Sequence, residues 1–161
     1  MVKTLYLLRH LKSSWDDPGL ADRDRPLALR GLKAGKKMAR HLRKTGVEAE
    51  LVLCSPATRT RETLDAVRGA IGDPEVRFDE RLYAASGREL LDVLRGVDFG
   101  VGSVLVIAHN PGLEDLAATL GGTVQEKFPT GALATLAFQC VWSELEPGSC
   151  ELTAFVVPRE L

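Results

Sequence analysis

Two arginines and two histidines stand where apolar runs end. Arg9 and His10 follow Thr4-Leu5-Tyr6-Leu7-Leu8, and His109 follows Val104-Leu105-Val106-Ile107-Ala108. A third run, Leu51-Val52-Leu53-Cys54, leads through Ser55-Pro56 to Arg59. Guanidinium groups grip planar anionic oxygens two at a time. Imidazole is the side chain that stays nucleophilic near neutral pH. Together these four suit a phosphoryl group. Uninterrupted apolar runs of this length predict buried strands. Residues just past the carboxyl ends of such strands lie where open α/β sheets bind ligands. Parallel in one sheet, the three strands bring all four side chains to one edge.

The segments between these runs carry helix and turn signals. Leu11 to Arg30 lacks periodicity and contains the turn Asp16-Asp17-Pro18-Gly19; a loop of this length beside a site is more often functional than idle. Lys12, Ser13 and Ser14 can donate to phosphate oxygens. Trp15 is either a pocket wall or a packing anchor, and an Asp24–Arg25 ion pair is expected to fix the loop. Gly31 to Thr45 predicts a helix whose apolar face is Leu32, Gly35, Met38 or Ala39, and Leu42, stopped by Gly46. Ser55 as cap and Pro56 as first residue predict the next helix, with Ala57, Thr60, Leu64, Val67 and Ile71 on its buried face. Arg59 then sits in a first turn, where orphan N–H groups also favour an anion. Arg61, further round the helix, is the poorer phosphate ligand.

Val76 to Phe78 predicts a short strand. Ser86-Gly87-Arg88-Glu89 is a capping box opening a helix through Leu90, Leu91, Val93 and Leu94. Asn110 can cap and Pro111 can start the helix holding Leu113, Leu116, Ala117 and Leu120. Gly121 to Gly131 is expected as a loop, and Ala132 to Phe138 and Leu152 to Val157 as strands joined by the turn Glu146-Pro147-Gly148. This order predicts one α/β domain spanning residues 1–161.

The chain's 161 residues hold 21 Lys and Arg against 22 Asp and Glu, so a net charge of -1 offers no global argument for nucleic acid or an anionic membrane. Locally, Arg23 to Lys44 is basic and Glu144 to Glu160 leans acidic. A solvated helix face is the simpler expectation for the basic run, and a docking patch the alternative. Cys54, Cys140 and Cys150 have no metal-ligand spacing, and Cys54 is expected as a small buried thiol. Reduced cysteines, with no secretory pattern and no segment long enough to span a bilayer, point to a cytoplasmic protein.

Leu8-Arg9-His10, Ser55-Pro56-x-x-Arg59 and Ala108-His109-Asn110 resemble the histidine phosphatase superfamily, also called phosphoglycerate-mutase-like. The likeness is greatest to its short SixA-type phosphohistidine phosphatases. Arg9-His10-Leu11-Lys12-Ser13-Ser14-Trp15, Asp22-x-Asp24-Arg25-Pro26-Leu27-x-x-Arg30-Gly31 and His109-Asn110-Pro111-Gly112-Leu113-Glu114 are similar to that branch in order and spacing. The resemblance implies a three-layer α/β/α domain, with a mainly parallel mixed sheet and helices on both faces.

In that scheme neutral His10 attacks phosphorus and carries the phosphoryl group, while Arg9, Arg59 and protonated His109 hold its oxygens. Lys12, Ser13 and Asn110 are further substrate-binding candidates. No metal or other cofactor is expected, because protein cations supply the charge. Larger mutases of the family carry a Glu acid after a short strand. Glu80 aligns with that position, making it the possible general acid, and a shifted alignment puts Ala84 there. Leu11 stands where Gly or Ala usually follows the Arg-His pair, and the larger side chain is expected to narrow access. The implied substrate is a phosphohistidine-bearing protein, with a small phosphorylated molecule as the alternative partner. A small-molecule phosphomonoesterase is the runner-up. A mutase and a non-catalytic phosphate-binding module are the remaining readings.

Overall fold

The computed structural model describes residues 1–122 and 127–161. Its strands are β1 (Lys3–Arg9), β2 (Leu51–Cys54), β3 (Glu75–Phe78), β4 (Ser103–Ala108), β5 (Leu133–Phe138) and β6 (Glu151–Val156). Its helices are α1 (Leu29–Thr45), α2 (Thr58–Val67), α3 (Gly87–Arg95) and α4 (Gly112–Gly121). The strands form one sheet in the order β3-β2-β4-β1-β5-β6. The first four are mutually parallel and β5 pairs antiparallel with β1 and with β6. The expected mainly parallel, mixed α/β/α architecture is therefore the one observed.

The apolar runs of β1, β2 and β4 exist because both faces of the sheet are covered. Along β4, Val104 and Val106 pack with Leu90, Leu94, Leu113 and Leu116 of α3 and α4. Leu105 and Ile107 pack with Met38, Leu42, Leu64 and Val67 of α1 and α2. One strand thus supplies two cores, which alternating pleat geometry allows only if every residue is apolar. Cys54 is buried in the second core, and burial pushes its thiol up to about 12. It is an inert core residue.

Local signals placed the start of α3 and the end of α1. Ser86 Oγ accepts from Glu89 N at 3.1 Å and Glu89 Oε1 accepts from Ser86 N at 3.0 Å, completing the capping box. Gly46 ends α1 with a φ of 70°, the left-handed value that favours glycine. Other ends moved. Helix α1 starts at Leu29, and Leu32 is exposed while Gly31 occupies the buried face. A Cβ on Gly31 would lie 2.2 Å from the Lys12 carbonyl, so the helix can approach the β1 exit only with glycine there. Helix α2 begins at Thr58 rather than at Pro56, with Ala57 in the capping place; Ser55 Oγ accepts from Ala57 N at 3.4 Å and also faces His109.

The connection between β5 and β6 is more than the expected turn. A 3-10 turn, Trp142–Glu144, precedes Glu146-Pro147-Gly148 and buries Trp142, whose indole N–H donates to Val101 O at 2.7 Å. Of the loop expected over residues 121–131, residue 121 closes α4, and residues 123–126 lie outside the described residues. Among the described residues no helix is long and apolar enough to cross a membrane.

Candidate active site

The strand ends deliver their side chains as neighbours because the ladder continues past each strand. Arg9 is paired in register with Ala108, so the next residues, His10 and His109, leave adjacent strands side by side. His10 N donates to Ala108 O at 3.2 Å, Arg9 N to Ala132 O at 3.0 Å and Ser55 N to Ile107 O at 3.0 Å. The two imidazole rings lie 5.3 Å apart between centroids. Arg59, in the first turn of α2, joins them. His10, Arg59 and His109 are 6–7% exposed, so the cluster is buried rather than a surface patch.

His10 Nδ1 lies 2.8 Å from Leu11 O. A carbonyl only accepts, so Nδ1 carries the proton and Nε2 keeps its lone pair. His109 Nε2 lies 2.8 Å from Ser55 Oγ. Arg9 Nη1 donates to Phe128 O at 3.0 Å. Arg9 Nε, Arg59 Nε and His109 Nδ1 are buried without a partner among the described residues. A site with two fixed guanidinium groups and unsatisfied N–H capacity has the charge and donors that an oxyanion requires.

Burial, then the charges of Arg59 and Arg9, push the His10 imidazole down to about 4. Burial, then Arg59, push His109 down to about 3. Both rings are therefore neutral near pH 7 when the site is empty. This corrects the expectation of a protonated His109: the Asp22 carboxylate favours a proton there, but burial and the Arg59 charge outweigh it in the empty site. The same shifts make stability pH-dependent. The unfolded imidazoles bind protons near 6.5 while the folded ones do not, so folding free energy is lost as pH falls from about 6.5 towards 4 and 3. Each ring should cost on the order of 2 kcal/mol of stability between about pH 7 and about pH 5. Denaturant unfolding across that range measures it. His109→Gln should flatten the slope by about half, and an unchanged slope would refute the assignment.

The remaining candidates are not in the cluster. Lys12 is exposed on the outer side of the β1 exit, lining a groove with Arg30 and Lys33. Ser13 is buried, and its Oγ accepts from Arg25 Nη1 at 2.9 Å. Asn110 donates from Nδ2 to Phe128 O at 2.8 Å and accepts at Oδ1 from Glu114 N at 3.2 Å. Its amide caps the start of α4 and ties Phe128 to the site. Ser13 and Asn110 thus make bonds that shape the surrounding backbone. Glu80 is exposed and ion-paired with Arg23, which holds its carboxyl below the usual range. A general acid needs the opposite shift. Leu11 is 1% exposed and packs toward Gly35 and Gly131, so it does not narrow access. Arg61 stacks on Phe78 and donates to Pro56 O.

Asp22 is the residue that sequence reasoning passed over. Arg59 Nη1 donates to its carbonyl at 2.7 Å and Arg59 Nη2 to Oδ2 at 3.0 Å. The Tyr83 hydroxyl donates to the same Oδ2 at 2.7 Å, and Arg25 Nε and Nη2 reach Oδ1 at 3.3 Å. The Tyr83 hydroxyl bond, then Arg59 and Arg25, hold its carboxyl down to about 2. Arg25 therefore pairs with Asp22 rather than Asp24, and its guanidinium lies 3.5 Å over the Trp15 ring. Trp15 is nonetheless 70% exposed. Tyr83 also meets His109 edge-on at 5.6 Å. The available signal was Asp22's place in the Asp22-x-Asp24-Arg25-Pro26-Leu27 run; nothing in the sequence linked it to Arg59.

Fold and site together define a doubly wound α/β protein with an imidazole and guanidinium cluster at the carboxyl edge of its sheet. Residues 5–86 match the model of the histidine phosphatase superfamily, branch 1. An uncharacterised protein of Mycobacterium tuberculosis is 39% identical over 94% of this chain and 100% of its own length. The phosphohistidine phosphatase SixA of Escherichia coli is 32% identical over 82% of this chain and 83% of its own. A solved structure of the protein histidine phosphatase SixA complexed with tungstate superposes with a TM-score of 0.83. It is 28% identical, with 98% of both chains covered. The chain belongs to the histidine phosphatase superfamily, and its likeness to SixA proteins supports a phosphatase activity.

Proposed function

We propose that the protein is a phosphatase that hydrolyses phosphohistidine through a phosphorylated His10. The observation that carries this is the His10 Nδ1 contact to Leu11 O, which leaves Nε2 as a free nucleophile among Arg9, Arg59 and His109. Nε2 attacks phosphorus as the P–N bond to the substrate imidazole breaks, and that ring, protonated from solvent on its other nitrogen, leaves as neutral imidazole. Water then attacks the phosphoryl group on His10 and releases inorganic phosphate. Arg9 and Arg59 hold the equatorial oxygens as charge redistributes. His109 enters this state neutral. A dianion beside it raises its proton affinity, so it gains a proton together with the bound phosphoryl group.

The substrate class follows from the acid. Glu80 is held ionised by Arg23, and Asp22 by the Tyr83 hydroxyl with Arg59 and Arg25; an alkoxide leaving group needs a proton donor in the site, whereas an imidazole protonated by solvent on its other nitrogen does not. Phosphohistidine peptide and aryl phosphates should therefore be turned over at least about tenfold faster than alkyl phosphates. Glu80→Gln should leave phosphohistidine hydrolysis unchanged. Side-by-side turnover of the three substrate types is the test. Fast alkyl ester hydrolysis that collapses in Glu80→Gln would move the enzyme to the small-molecule phosphomonoesterase reading.

The charge facing the phosphoryl oxygens comes from guanidinium groups, so the activity should not require a divalent ion. Among the described residues no group of three His, Cys, Asp or Glu side chains is placed to hold one. Turnover should be the same before and after exhaustive chelation. Loss that a specific metal restores would overturn this mechanism.

A further inference from the structure

Helix α1 has a composition that the active site does not explain. It carries seven Lys and Arg residues and no Asp or Glu, within a chain whose net charge is -1. All seven are exposed, and none is ion-paired among the described residues. Arg30, Lys33, Lys37, Arg40 and Lys44 follow each other at intervals of three and four, so they share one face. That face runs about 21 Å at 1.5 Å per residue. Like charges at this spacing repel and destabilise a helix, so nothing in the stability of α1 calls for them.

The site-proximal end of this face borders a groove of about 350 Å³ lined by Lys12, Arg30, Lys33, Lys37 and Arg159, with no acidic side chain in its wall. It is also lined by Pro129 and Thr130, which follow Phe128 in the chain. Phe128 O holds Arg9 and Asn110, and Gly131 N donates to Arg9 O and His10 O. Strand β6 runs parallel to β1, being antiparallel to β5, so Arg159 leaves the sheet at the same edge as His10. Leu29 and Leu32, 69% and 45% exposed, add apolar anchors at the same end of α1.

We infer that the groove and the basic face of α1 dock the acidic face of the protein that carries the phosphohistidine, an inference resting on the substrate class proposed above. The length of the stripe exceeds a small molecule, and apolar anchors within a one-sign field suit a protein surface. The stripe has no aromatic side chain on which nucleic acid bases could stack.

The test compares two fluorescein-labelled phosphohistidine peptides of equal length, one flanked by glutamates and one by serines, with an aryl phosphate as control. In low salt the wild-type protein should show kcat/KM about tenfold higher for the acidic peptide, a preference that high salt erases. The variant Lys33→Glu/Lys37→Glu/Arg40→Glu should lose the preference while aryl phosphate turnover stays unchanged. It should also melt no lower, since it relieves repulsion along α1. Equal turnover of the two peptides, or a preference that survives in the variant, would overturn the docking proposal while leaving phosphohistidine hydrolysis standing. If neither peptide is turned over, the substrate class fails, and fluorescence anisotropy decides the docking surface separately. Tighter binding of the acidic peptide that is lost in the variant sustains the surface. No difference between peptides, or tighter binding of single-stranded DNA or phosphatidylserine vesicles than of the acidic peptide, overturns it.

Discussion

His10→Ala should lower turnover by at least ~10⁴-fold, the scale on which removal of a nucleophile acts when the rest of a site stays intact. The geometry behind this is specific to one atom. His10 Nδ1 is committed to Leu11 O, so its Nε2 carries a free lone pair, and the ring is neutral down to about 4. His109 is the other imidazole, and its Nε2 already faces Ser55 Oγ. Rapid quenching during turnover should trap acid-labile, base-stable phosphate on the peptide containing His10. Label on His109, or substantial activity in His10→Ala, would reject the proposed mechanism.

Arg59→Ala should cost about 10²–10³ in kcat/KM, the loss seen when one preorganised electrostatic donor is removed. The fold should survive, because Asp22 keeps Arg25 and Tyr83 and its side chain is 53% exposed. Arg59→Lys should recover little of the loss. The guanidinium uses Nη1 and Nη2 on the carbonyl and carboxylate of Asp22 at once, and an ammonium cannot span both. Removing the charge should also raise the proton affinity of His10, moving the acid limb of the rate profile toward neutral pH. Activity within a few-fold of wild type would make Arg59 an anchor for Asp22 and nothing more.

What could be known from the chain alone was whatever burial and local geometry write into adjacent residues. A strand covered on both faces must be apolar throughout, so β1, β2 and β4 were legible as runs. Arg9, His10 and His109 follow those runs covalently, and their meeting required only that β1 and β4 be parallel neighbours. The capping box at Ser86 and the stop at Gly46 were legible because their partners lie within a turn. Ser55 shows the limit: its sequence context predicts the local bond from Ala57 N, but not the contact of the same hydroxyl with His109, 54 residues away. Asp22 reaches Arg59 across 37 residues and Tyr83 across 61, by the path of two loops that carry no periodic signal. Glu80 went to Arg23 instead of the site for the same reason. Protonation was the last thing the sequence withheld. A histidine has one ordinary affinity for a proton in a peptide, and only the tertiary structure, by burying His10 and His109 beside two guanidinium groups, decided that both would stand neutral.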